Sequence, residues 1–189
     1  MGHLQIFLPT SMSKCAYEKD IDVSHMRGNA STETKRFCLA ILHFFVGTKS
    51  TSFGADIGQN LNWVEMNIHE ENHYTYAETI FNITIEKEMC NVRQILHGAC
   101  AAYMVDLCTV ASLVTLGTAQ GFDGTGVSQS MNLVWHRAIR LRTVEAKKSK
   151  SYRIPCLEKL WADDKLCISA THSTVIMALI FNDKTKAKL

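Results

Sequence analysis

Proline is nearly missing from this chain, with 2 in 189 residues, and no stretch is low in complexity. Hydrophobic residues make up 47% and charged residues 20%, so a disordered or linker-like protein is excluded. Charge of one sign is missing too. Lys+Arg 20 against Asp+Glu 18 leaves a formal +2, which excludes a histone-like polycation and an acidic tail protein. The seven cysteines (Cys15, Cys38, Cys90, Cys100, Cys108, Cys156 and Cys167) are odd in number and lack any C-x-x-C spacing. That excludes a zinc knuckle or a redox dithiol and leaves reduced thiols used as small hydrophobes. The opening MGHLQIFLPTSM has no basic region ahead of an apolar core, and Glu18, Asp20 and Asp22 follow it. Neither a secretory signal nor an acid-poor mitochondrial leader is therefore expected. Myristoylation is not expected either, because Ile6 stands where Ser or Thr is required. A chain of this length makes one domain with a substantial core.

What is present falls into blocks. Residues 1–32 lack a sustained period and read as an irregular extension. Residues 33–46 have helical spacing, with Ser31 or Thr32 as cap and Gly47 as stop. After a Gly/Ser/Thr-rich connection to residue 58, period two begins. Val64, Met66 and Ile68 alternate with polar neighbours, as do Thr79, Phe81, Ile83 and Ile85, with a polar turn at 70–74. Between Gln94 and Phe122 the sole charge is Asp106, and 99–116 reads as a helix apolar on nearly all sides that stops at Gly117. Strands are then expected at 127–134, 140–148, 152–161 and 166–178, the last two joined at Asp163-Asp164. No βαβ repeat appears, so the fold class is α+β, an antiparallel sheet wrapped around one central helix. A membrane span at 98–117 fits by length. Asp106 at its middle and the lack of flanking Lys/Arg argue against it, and no span is expected.

A carboxylate in an apolar helix costs several kcal/mol if buried ionised and unpaired. Asp106 serves chemistry, as a base made stronger by desolvation, or serves structure through a local hydroxyl such as that of Thr109. Its neighbourhood favours chemistry. His97-Gly98 falls where the helix begins, and unpaired N–H groups at that positive end suit an oxyanion. Asn91 adds an amide and Ser128 a hydroxyl on the following strand. Together these suggest acyl transfer to water.

The run Asn91-Val92-Arg93-Gln94-Ile95-Leu96-His97-Gly98, then Asp106, then Gly126-Val127-Ser128-Gln129-Ser130-Met131-Asn132-Leu133 resembles the hotdog-fold acyl-CoA thioesterases over residues 55–178. The nearest branch holds phenylacetate-pathway thioesterases and thioesterase superfamily member 2. The resemblance implies a hotdog domain over 33–181, homodimers or homotetramers, and active sites at subunit interfaces. It implies that Gly98 polarises the thioester carbonyl, with His97 and Asn91 shaping that site. Asp106 of the partner subunit would act as general base or nucleophile, with Ser128 positioning water. The substrate would be a fatty or aromatic acyl-CoA, with no separate cofactor. The chain departs from the family at Ala99, where a second glycine is usual, and at 135–139, which lack the usual proline and glycine-acidic turn. A hotdog module that binds acyl-CoA or a protein partner with little catalysis is the alternative.

The +2 hides a segregation. Residues 137–153 carry seven cations against Glu145, leaving the rest of the chain at −4. Arg137, Lys148 and Lys150 are candidate contacts for CoA phosphates, or simply a solvated, aggregation-resistant edge. No aromatic-interleaved RNA motif accompanies them, so no nucleic-acid partner is expected. His69-Glu70-Glu71-Asn72-His73 matches H-E-x-x-H but falls at a predicted turn, so no metal is expected. The basic tail 182–189 ends in Ala187-Lys188-Leu189, a variant of S-K-L, which points to a peroxisomal import receptor; otherwise a cytoplasmic or mitochondrial site is expected.

Overall fold

The computed structural model describes residues 21–47, 51–141, 143–144, 149–151 and 156–176. Helix α1 (Thr32–Val46) begins at Ser31, whose Oγ accepts the Thr34 N–H at 3.1 Å. Gly47, at φ 63°, ends it by donating its N–H to His43 O. A short helix, α2 (Ala55–Gly58), lies in the connection the sequence left irregular. Strands β1 (Asn62–Glu71) and β2 (Tyr74–Thr84) form a hairpin. Its two turn residues, Asn72 and His73, both have positive φ, the geometry a two-residue hairpin demands. A bulge between Trp63 and Glu65 breaks the expected alternation, so Trp63 and Met66 are both buried while Val64 is only half-buried.

Helix α3 (Gly98–Gln120) is longer than expected. It passes through Gly117 and ends at Gly121, which is left-handed at φ 73°. Gly117 is needed for packing, because a Cβ there would sit 2.5 Å from the carbonyl oxygen of Phe122. The sheet covers one side of α3 and α1 the other, so Ala111 to Gly117 is buried without a break. The helix is long and apolar enough to cross a membrane, yet 72% of its most apolar window is buried within the protein. Its hydroxyls are met inside the helix: Ser112 donates to Thr109 O and Thr115 to Ala111 O.

Strands β3 (Gly126–Trp135), β4 (Thr143–Val144), β5 (Ser149–Ser151), β6 (Cys156–Ala162) and β7 (Lys165–Ile176) complete an antiparallel sheet in the order β1-β2-β5-β6-β7-β3, with β4 on β2. Asp163 and Asp164 make the tight turn between β6 and β7, as their sequence suggested.

The two sheet edges differ. Residues 27–30 run along β1, where Arg27 N donates to Val64 O and Met66 N to Arg27 O. Asn29 completes the cover by exchanging two 2.8 Å hydrogen bonds with the backbone of Ile68. Lys35 reaches from α1 to hold the Met26 and Gly28 carbonyls. Irregular as 21–31 is, it is packed, with Val23, Met26 and Ala30 buried. Among the described residues β3 has no neighbour on its outer side.

Candidate functional site

Asn91 builds the loop that leads into α3. Its Oδ1 accepts the N–H of Arg93 at 2.9 Å and of Ile95 at 3.4 Å, while its backbone N–H meets Ile95 O. Gln94, at φ 56°, closes this turn, and Leu96 N to Ile139 O ties it to the chain beyond β3. Because Asn91 uses its oxygen inside the loop, its Nδ2 hydrogens are the part left for a ligand.

His97 caps α3 and its Nδ1 accepts the N–H of Ala99 at 3.1 Å. Its Nε2 is therefore the ring's remaining polar atom. Gly98 is the first helical residue, so its N–H has no acceptor within the helix and lies at the positive end of the dipole. A Cβ on Gly98 would meet only the Trp135 ring, at 3.7 Å. The Gly98 backbone is open to an incoming group.

Asp106 and Ser128 come together directly. Ser128 Oγ donates to Asp106 Oδ1 at 2.9 Å. A bulge between Ser128 and Ser130 in β3 makes this contact, because it brings Ser128 to the side on which Met131 and Leu133 pack against the core. The Asp106 side chain is 41% exposed. It sits on the helix flank at a rim rather than in the sealed core. Thr109 is not its partner as a local hydroxyl; Thr109 Oγ1 meets Val105 O at 2.7 Å and His172 Nδ1 at 2.6 Å.

Three buried groups behind Asp106 were missed in the sequence. His172 Nε2 stands 3.6 Å from Asp106 Oδ1. Burial lowers its basicity and Asp106 partly restores it. Glu158 is buried in β6, where desolvation pushes its carboxyl well above the usual range and Asp106 adds to the shift. Cys108 hydrogen-bonds that carboxyl, and its own thiol is pushed up by burial first and Glu158 second. The signal was strand parity: Glu158 lies in phase with buried Leu160, and His172 with Ile168 and Ala170.

Within one chain the two halves of the expected site stay apart. Asp106 lies eight positions beyond Gly98, about 12 Å along the axis. The Asn91, His97 and Gly98 group and the Asp106 and Ser128 pair therefore occupy separate positions along α3.

Beside the Asn91 loop lies a surface pocket of about 510 Å³, lined by Arg93, Gln94, Arg137, Arg140, Asp163 and Lys165 among others. Arg137 is thus part of a basic hollow, whereas Lys148 and the Lys150 side chain lie outside the described residues. His69 is in β1 and His73 in its turn, so H-E-x-x-H has no helix to present it. No group of His, Cys, Asp or Glu among the described residues could hold a metal ion.

No family model and no curated protein matches the chain. Solved structures do. Thioesterase superfamily member 2 from Mus musculus is similar at 16% identity, covering 77% of this chain and 98% of that one, with a TM-score of 0.52. Zebra fish thioesterase superfamily member 2 is similar at 15% identity, covering 73% and 94%, with a TM-score of 0.51. The chain has a hotdog fold. In this hotdog, α3 is the central helix, the loop from Asn91 to His97 feeds its start, and the Ser128 strand is the end strand of the wrapping sheet among the described residues.

Proposed function

We propose that the protein hydrolyses acyl-CoA thioesters to free acid and CoA. The observation that carries this reading is the 2.9 Å hydrogen bond from Ser128 to Asp106 at an accessible rim, on a central helix whose first N–H group is free to receive an oxyanion. Ser128 occupies Oδ1 and leaves Oδ2 for a water molecule. Asp106 takes that water's proton as its oxygen attacks the thioester carbon. Charge building on the carbonyl oxygen is met by the Gly98 N–H of the other subunit, with Asn91 and His97 beside it.

A dimer through β3 would bring these halves together. Its uncovered edge, the half-exposed Val127, Val134 and Trp135, and the fully exposed Val92 at the loop tip favour such an interface. The basic hollow around Arg93, Arg137, Arg140 and Lys165 suits the phosphates of CoA, and we place its nucleotide end there. Lys148 and Lys150 are proposed to add to this charge, and Ala187-Lys188-Leu189 to engage a peroxisomal import receptor. A fluorescent fusion should lose organelle targeting when those three residues are deleted.

A free-thiol assay across short, long and aromatic acyl-CoAs tests the activity. Wild type should turn over at least one of them, and Asp106→Asn should lose about 10²-fold or more in kcat. Equal rates for the two proteins would overturn the assignment.

A further inference from the structure

The groups behind Asp106 have a hydrogen-bonding order that fixes a proton. Thr109 Oγ1 lies 2.7 Å from Val105 O and 3.0 Å from Asp106 O, and a carbonyl can only accept. The one hydroxyl proton of Thr109 is used there. At 2.6 Å from the same oxygen, His172 Nδ1 must then be the donor. A neutral imidazole with its proton on Nδ1 presents a bare Nε2, and this is the atom facing Asp106 Oδ1 at 3.6 Å. That Nε2 is buried and has no hydrogen-bond partner among the described residues. Two acceptors therefore face each other with room for one proton between them.

We propose that Asp106 and His172 act as a single proton-holding pair, with His172 the positioning residue that stabilises the proton Asp106 draws from water. This rests on the hydrolase reading above. An O–H bond of water breaks as its oxygen bonds to the thioester carbon, and the released proton goes to Asp106, whose protonated carboxyl is stabilised by the bare Nε2 facing Oδ1. When the tetrahedral adduct collapses, the C–S bond breaks and the CoA sulfur takes that proton, leaving acid, thiol and the original pair. The ionisable groups around the pair are few. Tyr103 and Cys108 lie on α3 with Asp106, and Glu158 faces in from β6. From β3 the contact is the non-titrating Ser128. Burial raises both Cys108 and Glu158 above their ordinary ranges, which favours their protonated forms.

Imidazole nitrogen NMR on the full chain, wild type and Asp106→Asn, reads the pair without relying on turnover. Neutral His172 should carry its proton on Nδ1. Its protonation midpoint should fall by about 0.5 pH unit or more in Asp106→Asn, because the carboxylate raises it. A proton on Nε2 in the neutral wild type, or a midpoint unmoved by the substitution, overturns the proposal. His172→Gln, checked for native circular dichroism, should lower kcat about tenfold or more and leave KM within about twofold. It should also move the acid limb of the kcat/KM profile to lower pH. A folded His172→Gln with wild-type kcat and pH profile also overturns it. If the NMR coupling is present while no acyl-CoA is hydrolysed, the hydrolase reading fails and the pair stands.

Discussion

Glu158 carries a carboxyl into the core beside a second carboxylate, and its consequence is written in pH. Its pKa is raised by burial, so the folded chain holds this proton more tightly than the unfolded chain does. At pH values below the ordinary carboxylate range both states are protonated and nothing is lost. As pH climbs past about 4.5 the unfolded chain ionises while the folded one does not. Stability then falls by up to about 1.4 kcal/mol per pH unit until the folded group ionises. Glu158→Gln keeps the shape and a partner for Cys108 without that proton. Its thermal midpoint should gain on wild type as pH rises above about 5. Parallel midpoint curves would show that the carboxyl is not held protonated. His172 contributes the opposite limb. Its basicity is lowered, so its contribution is present above the ordinary imidazole range and lost as pH falls through it. Asp106 was legible in the sequence because it is alone, one charge in a long apolar run. Glu158 and His172 were not, because each sits in a strand of mixed polarity where only the facing helix reveals which parity points inward.

Close packing at α3 separates two glycines that look alike in sequence. Gly117→Ala would place its Cβ 2.5 Å from the Phe122 carbonyl oxygen and 3.0 Å from Gly124 N, both backbone atoms that cannot swing away. It should destabilise the fold by about 1–3 kcal/mol in urea unfolding. Gly98→Ala meets only a tryptophan edge at ordinary contact distance, so its unfolding free energy should stay within about 0.5 kcal/mol of wild type. A large loss at Gly98 and none at Gly117 would reverse these roles. The same contrast explains the misreading of Gly117 as a helix stop, since local punctuation cannot distinguish a cap from a close approach. Helix α1 was readable to within one residue because Ser31 and Gly47 cap it by local chemistry. The bulges at 63–65 and 128–130 were not readable, since nothing in a short alternating run marks an extra residue. The second bulge matters more, because it turns Ser128 toward Asp106.

Among the described residues this hotdog is covered at its β1 edge and has no neighbour at its β3 edge, and its candidate groups lie apart along α3. The architecture was readable from the order of periods, helix then strands then buried helix then strands. The division of the site between two copies is implied by the family resemblance alone, because sequence order says nothing about which copy supplies each half. Val134→Lys places a charge on the open strand and should yield monomers by light scattering, with hydrolysis lost while circular dichroism is kept. Active monomers would sink the two-copy site. A stricter measurement uses mixtures. Asp106→Asn should inactivate one half of each composite site, and His97→Ala, by removing the cap and the ring beside Gly98, the other half. Each variant alone should be nearly inactive. In a mixed dimer one site takes both altered halves and the other takes both intact ones. Unfolding and refolding equal amounts together makes about half the dimers mixed, so about a quarter of all sites should be intact. Recovery of about a quarter of wild-type activity is the expected result. Activity no greater than that of the separate variants would mean that Asp106 and His97 of the same chain serve one site, and the two-copy arrangement would be wrong.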